Sequence, residues 1–166
     1  MLTKTILVAC LTWGLISAVQ TAKTVKKCED QMPASLKNKL CAIRQYEILD
    51  GEDMDKHMDC VLKAVGFVDA NGGGDYHKLY KPLNAVEKDR KHDYNLEKCQ
   101  GDTMKVPKNQ RANAYYKCML KSTSAEAFKK VFDLTELVKA GKLPASEPYS
   151  AKVEKLMKKI DAKVCK

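Results

Sequence analysis

The chain has 166 residues, with 30 Lys and Arg against 21 Asp and Glu, a formal charge of +9, and 45% hydrophobic residues. This is a single-domain length with enough apolar content to bury a core. The positive charge is dispersed over short pairs such as Lys26-Lys27, Lys129-Lys130 and Lys158-Lys159. That pattern excludes a polyanion-binding tail, and no nucleic-acid partner is expected.

The first residues carry Lys4 and then an apolar run from Ile6 to Ala18, too short to span a bilayer and followed by small residues. They read as a secretory signal peptide over residues 1–22, cut between Ala18 and Ala22, with residues 23–166 as one domain. The expected location is extracellular, and no later segment is apolar enough to enter a membrane. Losing the leader removes Lys4 and Cys10, which leaves a formal charge of +8 and six cysteines, Cys28, Cys41, Cys60, Cys99, Cys118 and Cys165. An even number in a secreted chain implies a disulfide framework, with the pairing open. None of the gaps is the two-residue spacing of zinc or redox motifs, so neither a metal nor thiol chemistry is expected, and no cofactor.

Ser35 is a candidate N-cap for a helix through SLKNKLCAIRQYEIL, in which Leu36, Leu40, Ile43 and Ile48 recur near helical spacing. Arg44 lies beside Ile43 and Cys41, either solvated or with its stem through the core edge. Asp50-Gly51 is a turn signal, after which a helix runs from about Glu52 to Phe67. His57 stands next to the apolar stripe of that helix. Asn71-Gly72-Gly73-Gly74 reads as a flexible loop without the context of a phosphate cradle. A short helix from Tyr76 to Tyr80 and a longer polar one from Leu83 to Cys99 are expected to part near Pro82. His92, Asp93 and Glu97 lie on its mostly charged surface and form no acid–base set. NQRANAYYKCMLK follows as a helix, with Tyr115 and Tyr116 about 100° apart, so that one of them at most faces a given cavity.

The stretch from Ser122 to Leu143 (STSAEAFKKVFDLTELVKAGKL) carries the most information. Thr123 and Glu126 have capping-box spacing, and Ala140-Gly141 with Pro144 is a stop signal. Between them Phe128, Val131, Phe132, Leu134, Leu137 and Val138 cover about half the helix circumference. Asp133 and Glu136 are neighbours on one face, beside Phe132 and Leu137. Two like charges side by side repel unless a cation lies between them. The pair is therefore either a cation site or a solvated acidic strip shared with Lys129 and Ala140. Ser150 then caps a final helix with Val153, Leu156, Met157, Ile160 and Val164 as its face. Nothing alternates with period two, so the fold class is all-α.

These features resemble the short-form D-seven-related salivary proteins of blood-feeding mosquitoes, within the odorant-binding superfamily. The resemblance rests on CEDQMPASLKNKLCAIRQYEILDGEDMDKHMDCVLKA, GDYHKLYKPLN, NLEKCQG, YYKCMLKST and FKKVFDLTELVKAGK. It departs from the general odorant-binding pattern, in which the second and third cysteines are three apart, since Cys41 and Cys60 are nineteen apart. It implies a single disulfide-linked domain of about seven or eight helices around a central ligand pocket. It further implies the pairings Cys28–Cys60, Cys41–Cys165 and Cys99–Cys118. The implied activity is capture of biogenic amines such as serotonin, histamine and noradrenaline, without catalysis, by a monomer. Asp133 and Glu136 would hold the ammonium. Arg44 and His57 would meet the ring hydroxyl, with Glu29 beside them, and Tyr116, Phe132 and Ile43 would form walls. Two other readings stand beside this one. One is a basic surface that binds and inhibits a coagulation or contact-pathway protein, together with weak attraction to anionic surfaces. The other is a carrier of an apolar lipid, which would leave the acid pair unmatched.

Overall fold

A computed structural model describes residues 26–166. The expected leader and its cleavage site lie outside the described residues. The described chain is helical throughout: α1 within 26–30, α2 Ala34–Lys37, α3 Leu40–Arg44, α4 Glu52–Val65, α5 Tyr76–Val86, α6 Lys91–Thr103, α7 Lys108–Lys121, α8 Ala125–Lys139 and α9 Ala151–Val164. Among the described residues, extended pairing is limited to an isolated bridge between Val68 and Gly74. Disulfides join Cys28 to Cys60, Cys41 to Cys165 and Cys99 to Cys118, and so tie α1 to α4, α3 to the chain end, and α6 to α7.

Several local expectations need correction. The first long helix is broken into α2 and α3, and Pro33 rather than Ser35 occupies the N-cap of α2. The Ser35 hydroxyl instead donates to Asp53 on α4. The break expected near Pro82 does not occur, because Pro82 lies inside α5. Leu79 and Leu83 flank it and are fully buried, and their packing outweighs the lost backbone hydrogen bond. The chain parts after Val86, where Glu87 is extended. No capping box forms at α8. Ser124 is its N-cap, the Thr123 hydroxyl accepts from Asn95, and Glu126 pairs with Lys129 at 2.8 Å.

His92 is the largest departure, for it is fully buried rather than part of a charged surface. Its Nε2 lies 2.8 Å from the Glu87 carbonyl, which only a donor satisfies, so Nδ1 accepts from the Ser124 hydroxyl at 2.8 Å. Asn95 donates to the same hydroxyl at 2.8 Å. The start of α8 is thus fastened to α6 by a closed polar network.

The glycine loop is also less free than its composition suggests. The Asp69 carboxylate accepts from the Asn71 and Gly73 amides at 2.7 and 2.9 Å, and Gly74 lies against the Tyr115 ring. A Cβ at Gly74 would fall 2.1 Å from Tyr115 Cε2. Tyr115 is fully buried, so neither side yields easily. Gly74→Ala is expected to cost about 3 kcal/mol, the upper end for overpacking, and chemical denaturation should show it as a lower midpoint.

Packing divides into two clusters. The main one joins α4 to α8 through residues such as Met58, Leu62, Leu83, Leu96, Tyr115, Met119 and Phe128. The smaller one joins the end of α8 to α9 through Leu137, Leu143, Val153 and Met157. A cavity opens along the seam between them. On the outside, lysines are interleaved with acids, as in Lys56–Glu52, Lys63–Asp59, Lys91–Glu87 and Lys98–Asp102, each one helical turn apart. No helix among the described residues is long and apolar enough to cross a membrane.

Candidate ligand-binding site

The seam cavity has a volume of about 470 Å³ and is lined from α1, α2, α3, α4, α7, α8 and α9. Its walls include Met32, Leu40, Ile43, Met58, Val61, Tyr116, Phe132, Leu137, Met157 and Ile160. Four aromatic rings crowd one side. Tyr116 and Phe132 have centroids 5.8 Å apart, Tyr46 stands 6.4 Å from Tyr116 and 6.1 Å from Phe132, and Phe67 backs Phe132 at 5.9 Å. Such a surface accepts a flat apolar body. The seven residues Glu29, Ile43, Arg44, His57, Tyr116, Phe132 and Glu136 all line this space. Asp133 stands just behind it, joined to the lining residues Arg44 and Tyr46.

The electrostatic centre is an arginine held by three carboxylates. Arg44 Nη1 donates to Glu136 at 3.1 Å, Nη2 to Asp133 at 3.3 Å, and Nε to Asp161 at 3.1 Å. The question posed by two adjacent acids on α8 therefore has a local answer, because the cation between them is Arg44. This placement puts Arg44 at the acid end of the site, whereas the resemblance implied a position near a ring hydroxyl. Burial opposes the guanidinium charge, but Glu136 and Asp133, with the Asp161 hydrogen bond, keep it protonated well above the usual range.

The acids retain part of their desolvation penalty. Burial pushes the Glu136 carboxyl up to about 7, with Arg44 opposing and Asp133 and Glu29 adding to the rise. Asp133 is likewise raised by burial, against the pull of the Tyr46 hydroxyl and Arg44. Burial lowers the pKa of His57, so its imidazole is neutral at physiological pH. Tyr116 is raised by burial and then by Glu136, and its hydroxyl stays protonated.

Two participants were missed in the sequence. Tyr46 has φ of 61°, the left-handed region that side chains other than glycine seldom occupy. That turn ends α3 and carries the Tyr46 hydroxyl to within 2.7 Å of Asp133 Oδ1 and 3.0 Å of the Lys129 carbonyl. No local sequence signal marks it. Asp161 was hidden as one acid on a lysine-rich terminal helix, and only the chain-closing geometry brings it to Arg44. Among the described residues no group of histidine, cysteine and carboxylate side chains is arranged to hold a metal ion.

Residues 17–122 match the PBP/GOBP family. The chain is 65% identical to the short form salivary protein D7R1 of Anopheles gambiae, over 99% of each sequence. Among solved structures it is similar to the Anopheles gambiae D7R4–norepinephrine complex, with 53% identity, a TM-score of 0.82, and coverage of 86% of this chain and 99% of the other. It is also similar to the AeD7–leukotriene E4 complex, with 26% identity, a TM-score of 0.63, and coverage of 78% of this chain and 45% of that one.

Proposed function

Since the chain belongs to the short-form salivary D7 proteins of the PBP/GOBP family, secreted into saliva, we propose that it sequesters arylalkylamines such as norepinephrine, serotonin and histamine in the seam cavity. The observation that carries this reading is the charge balance of the site. Asp133, Glu136 and Asp161 share the single Arg44 cation, and Glu29 adds a further carboxylate to the lining. Lys37 and Lys142 also line the cavity but form no ion pair among the described residues, so no second cation pairs with these acids. An ammonium delivered on an aromatic body supplies one, and the Tyr116, Phe132 and Ile43 walls take the ring.

In this reading the ammonium docks between Asp133 and Glu136, which exchange part of their contact with Arg44 for the ligand. His57, neutral because it is buried, accepts from or donates to a ring hydroxyl through one of its two nitrogens, with Glu29 nearby. The solved neighbour holding norepinephrine supports the choice of ligand class. A ligand of about 12 heavy atoms at about 0.8 kcal/mol each binds with about −10 kcal/mol, a Kd of some tens of nanomolar. Trapping of this kind works by abundance and affinity, without turnover. Lowered free amine at a bite opposes vasoconstriction, platelet activation and inflammation.

The test is a calorimetric titration of the disulfide-intact protein with norepinephrine. The expected result is one site per chain with submicromolar affinity, and absence of heat and of competition at micromolar protein contradicts the reading. Proton linkage sharpens it. An ammonium binds the ionised form of Glu136, whose pKa of about 7 lies inside the working range. Affinity is therefore expected to rise by about tenfold from pH 6 to pH 8, with proton release on binding at the lower pH. For folding alone the sign is opposite. The folded pKa lies above the ordinary 4.5, so the contribution of this group to stability is present below about 4.5 and lost as pH rises through about 7.

A second reading rests on Lys37 and Lys142, which line the same cavity and form no ion pair among the described residues. They suit the carboxylate of an amphipathic lipid such as leukotriene E4, the ligand in the more distant structural neighbour. Competition between leukotriene E4 and norepinephrine separates the two. Displacement at equimolar lipid favours a shared cavity, and its absence leaves the amine alone.

A further inference from the structure

We infer that Asp161 is a positioning residue for amine capture: it holds the Arg44 guanidinium through Nε, so that Asp133 and Glu136 can be yielded to a ligand ammonium. The inference rests on the amine-binding reading and adds to it a residue outside the set implied by the resemblance.

The geometry is a two-rung ladder between α3 and α9. Cys41 and Arg44 are three residues apart on α3, and Asp161 and Cys165 are four apart at the end of α9. One rung is the Cys41–Cys165 disulfide and the other is Arg44 Nε–Asp161 at 3.1 Å. The early residue of α3 joins the late one of α9, and the reverse, so the two segments run antiparallel. The Cys165 amide also donates to the Asp161 carbonyl at 2.8 Å, which keeps the α9 backbone regular up to the disulfide. The covalent rung therefore fixes the register that presents Asp161 to Arg44.

The three carboxylates are not equivalent. Nη1 and Nη2 face Glu136 and Asp133, the acids that an ammonium contests. Nε faces Asp161, which like Asp133 is absent from the cavity lining. Asp161 lies on α9 beside the Cys41–Cys165 disulfide, however, rather than on the α8 face that carries Phe132 and Glu136. An arginine released by both contested acids without Asp161 would be left desolvated and unpaired, a costly state. With Asp161 in place the guanidinium keeps one charge-assisted hydrogen bond that the ligand does not contest. Because Asp161 is over a third exposed, its pair with Arg44 contributes little to stability, and its effect falls on binding instead.

The experiment titrates norepinephrine into the full-length secreted protein and into Asp161→Asn, Asp161→Glu, Arg44→Lys and the Arg44→Lys, Asp161→Asn double variant, with melting temperatures read alongside. Asp161→Asn is expected to weaken binding about fivefold with little change in melting temperature. Asp161→Glu is expected to restore binding to within about twofold of the native protein. A lysine at position 44 cannot span three carboxylates. In that background Asp161→Asn should therefore change affinity by less than about twofold.

Native-like affinity of Asp161→Asn overturns the inference, as does a fivefold loss that persists undiminished with lysine at position 44. Should the lysine variant not fold, the Asp161→Asn titration is repeated in 1 M salt, where the Debye length is about 3 Å. A loss that survives supports the contact, and a loss that vanishes marks a through-space charge effect and overturns it. Failure of the native protein to bind norepinephrine sinks the underlying reading, and the first titration alone reveals it.

Discussion

Arg44→Ala is expected to lower the stability of the protein by about 3 kcal/mol, toward the lower limit for breaking a buried ion pair. The guanidinium touches Asp133, Glu136 and Asp161 at 3.1–3.3 Å, and the first two side chains are only 15% and 24% exposed. Truncation leaves three carboxylates close together with no counter-charge and little water to replace it. Protonation is the remaining relief. The deficit relative to the native protein should therefore shrink as pH falls from 8 to 5, because neutral carboxyls need no partner. Thermal melts of both proteins across that range check this. A deficit that is small and independent of pH would mean that Arg44 acts through its apolar stem alone.

Glu136→Gln and Asp133→Asn are each expected to weaken norepinephrine binding by about 2–4 kcal/mol, roughly 30-fold to 1000-fold. Each amide keeps the shape of the side chain and removes one of the two charges assigned to the ammonium. The two variants should differ in one respect. Glu136→Gln removes the group whose pKa is raised to about 7, so the rise in affinity between pH 6 and pH 8 should largely disappear with it. Asp133→Asn should retain that rise while also loosening Tyr46, whose hydroxyl donates to Asp133 at 2.7 Å. Calorimetry at the two pH values distinguishes them. Folding is not at risk to the same degree, because Arg44 keeps two of its three partners in either variant.

Much of the site was legible because it is built on α8, where helical spacing alone sets Asp133 and Glu136 on one face beside Phe132. The long helices α4, α7 and α9 were legible for the same reason, since apolar residues at helical intervals bury one face and turn signals such as Asp50-Gly51 bound them. The sequence was less informative where distant segments compete with local preference. Pro82 reads as a breaker, yet the burial of Leu79 and Leu83 carries α5 across it. His92 lies in a charged stretch, and only contact with Ser124, thirty-two residues away, gives it a partner inside. Thr123 and Glu126 have the spacing of a capping box, but Asn95 and Lys129 claim their side chains first.

The charge question itself was framed in the sequence without its answer. Adjacent acids require a cation, and nothing local names it. Arg44 lies eighty-nine residues from Asp133 and one hundred and seventeen from Asp161, and the second of these contacts lies beside the Cys41–Cys165 closure. The outcome changes the physical picture of capture. The acids are not an uncompensated pair relieved by the first cation to arrive. They are an oversubscribed set around one resident cation, and the ligand must compete with Arg44 while adding a second cation to the set. Affinity in such a site depends on how readily Arg44 shares its partners.

The most direct measurement is a crystal structure of the protein grown with norepinephrine. The ammonium is expected within about 3 Å of both Asp133 and Glu136, with the ring between Tyr116, Phe132 and Ile43, and with Arg44 still bonded to Asp161. An ammonium bound elsewhere, with Asp133 and Glu136 continuing to hold Arg44 alone, would contradict the account.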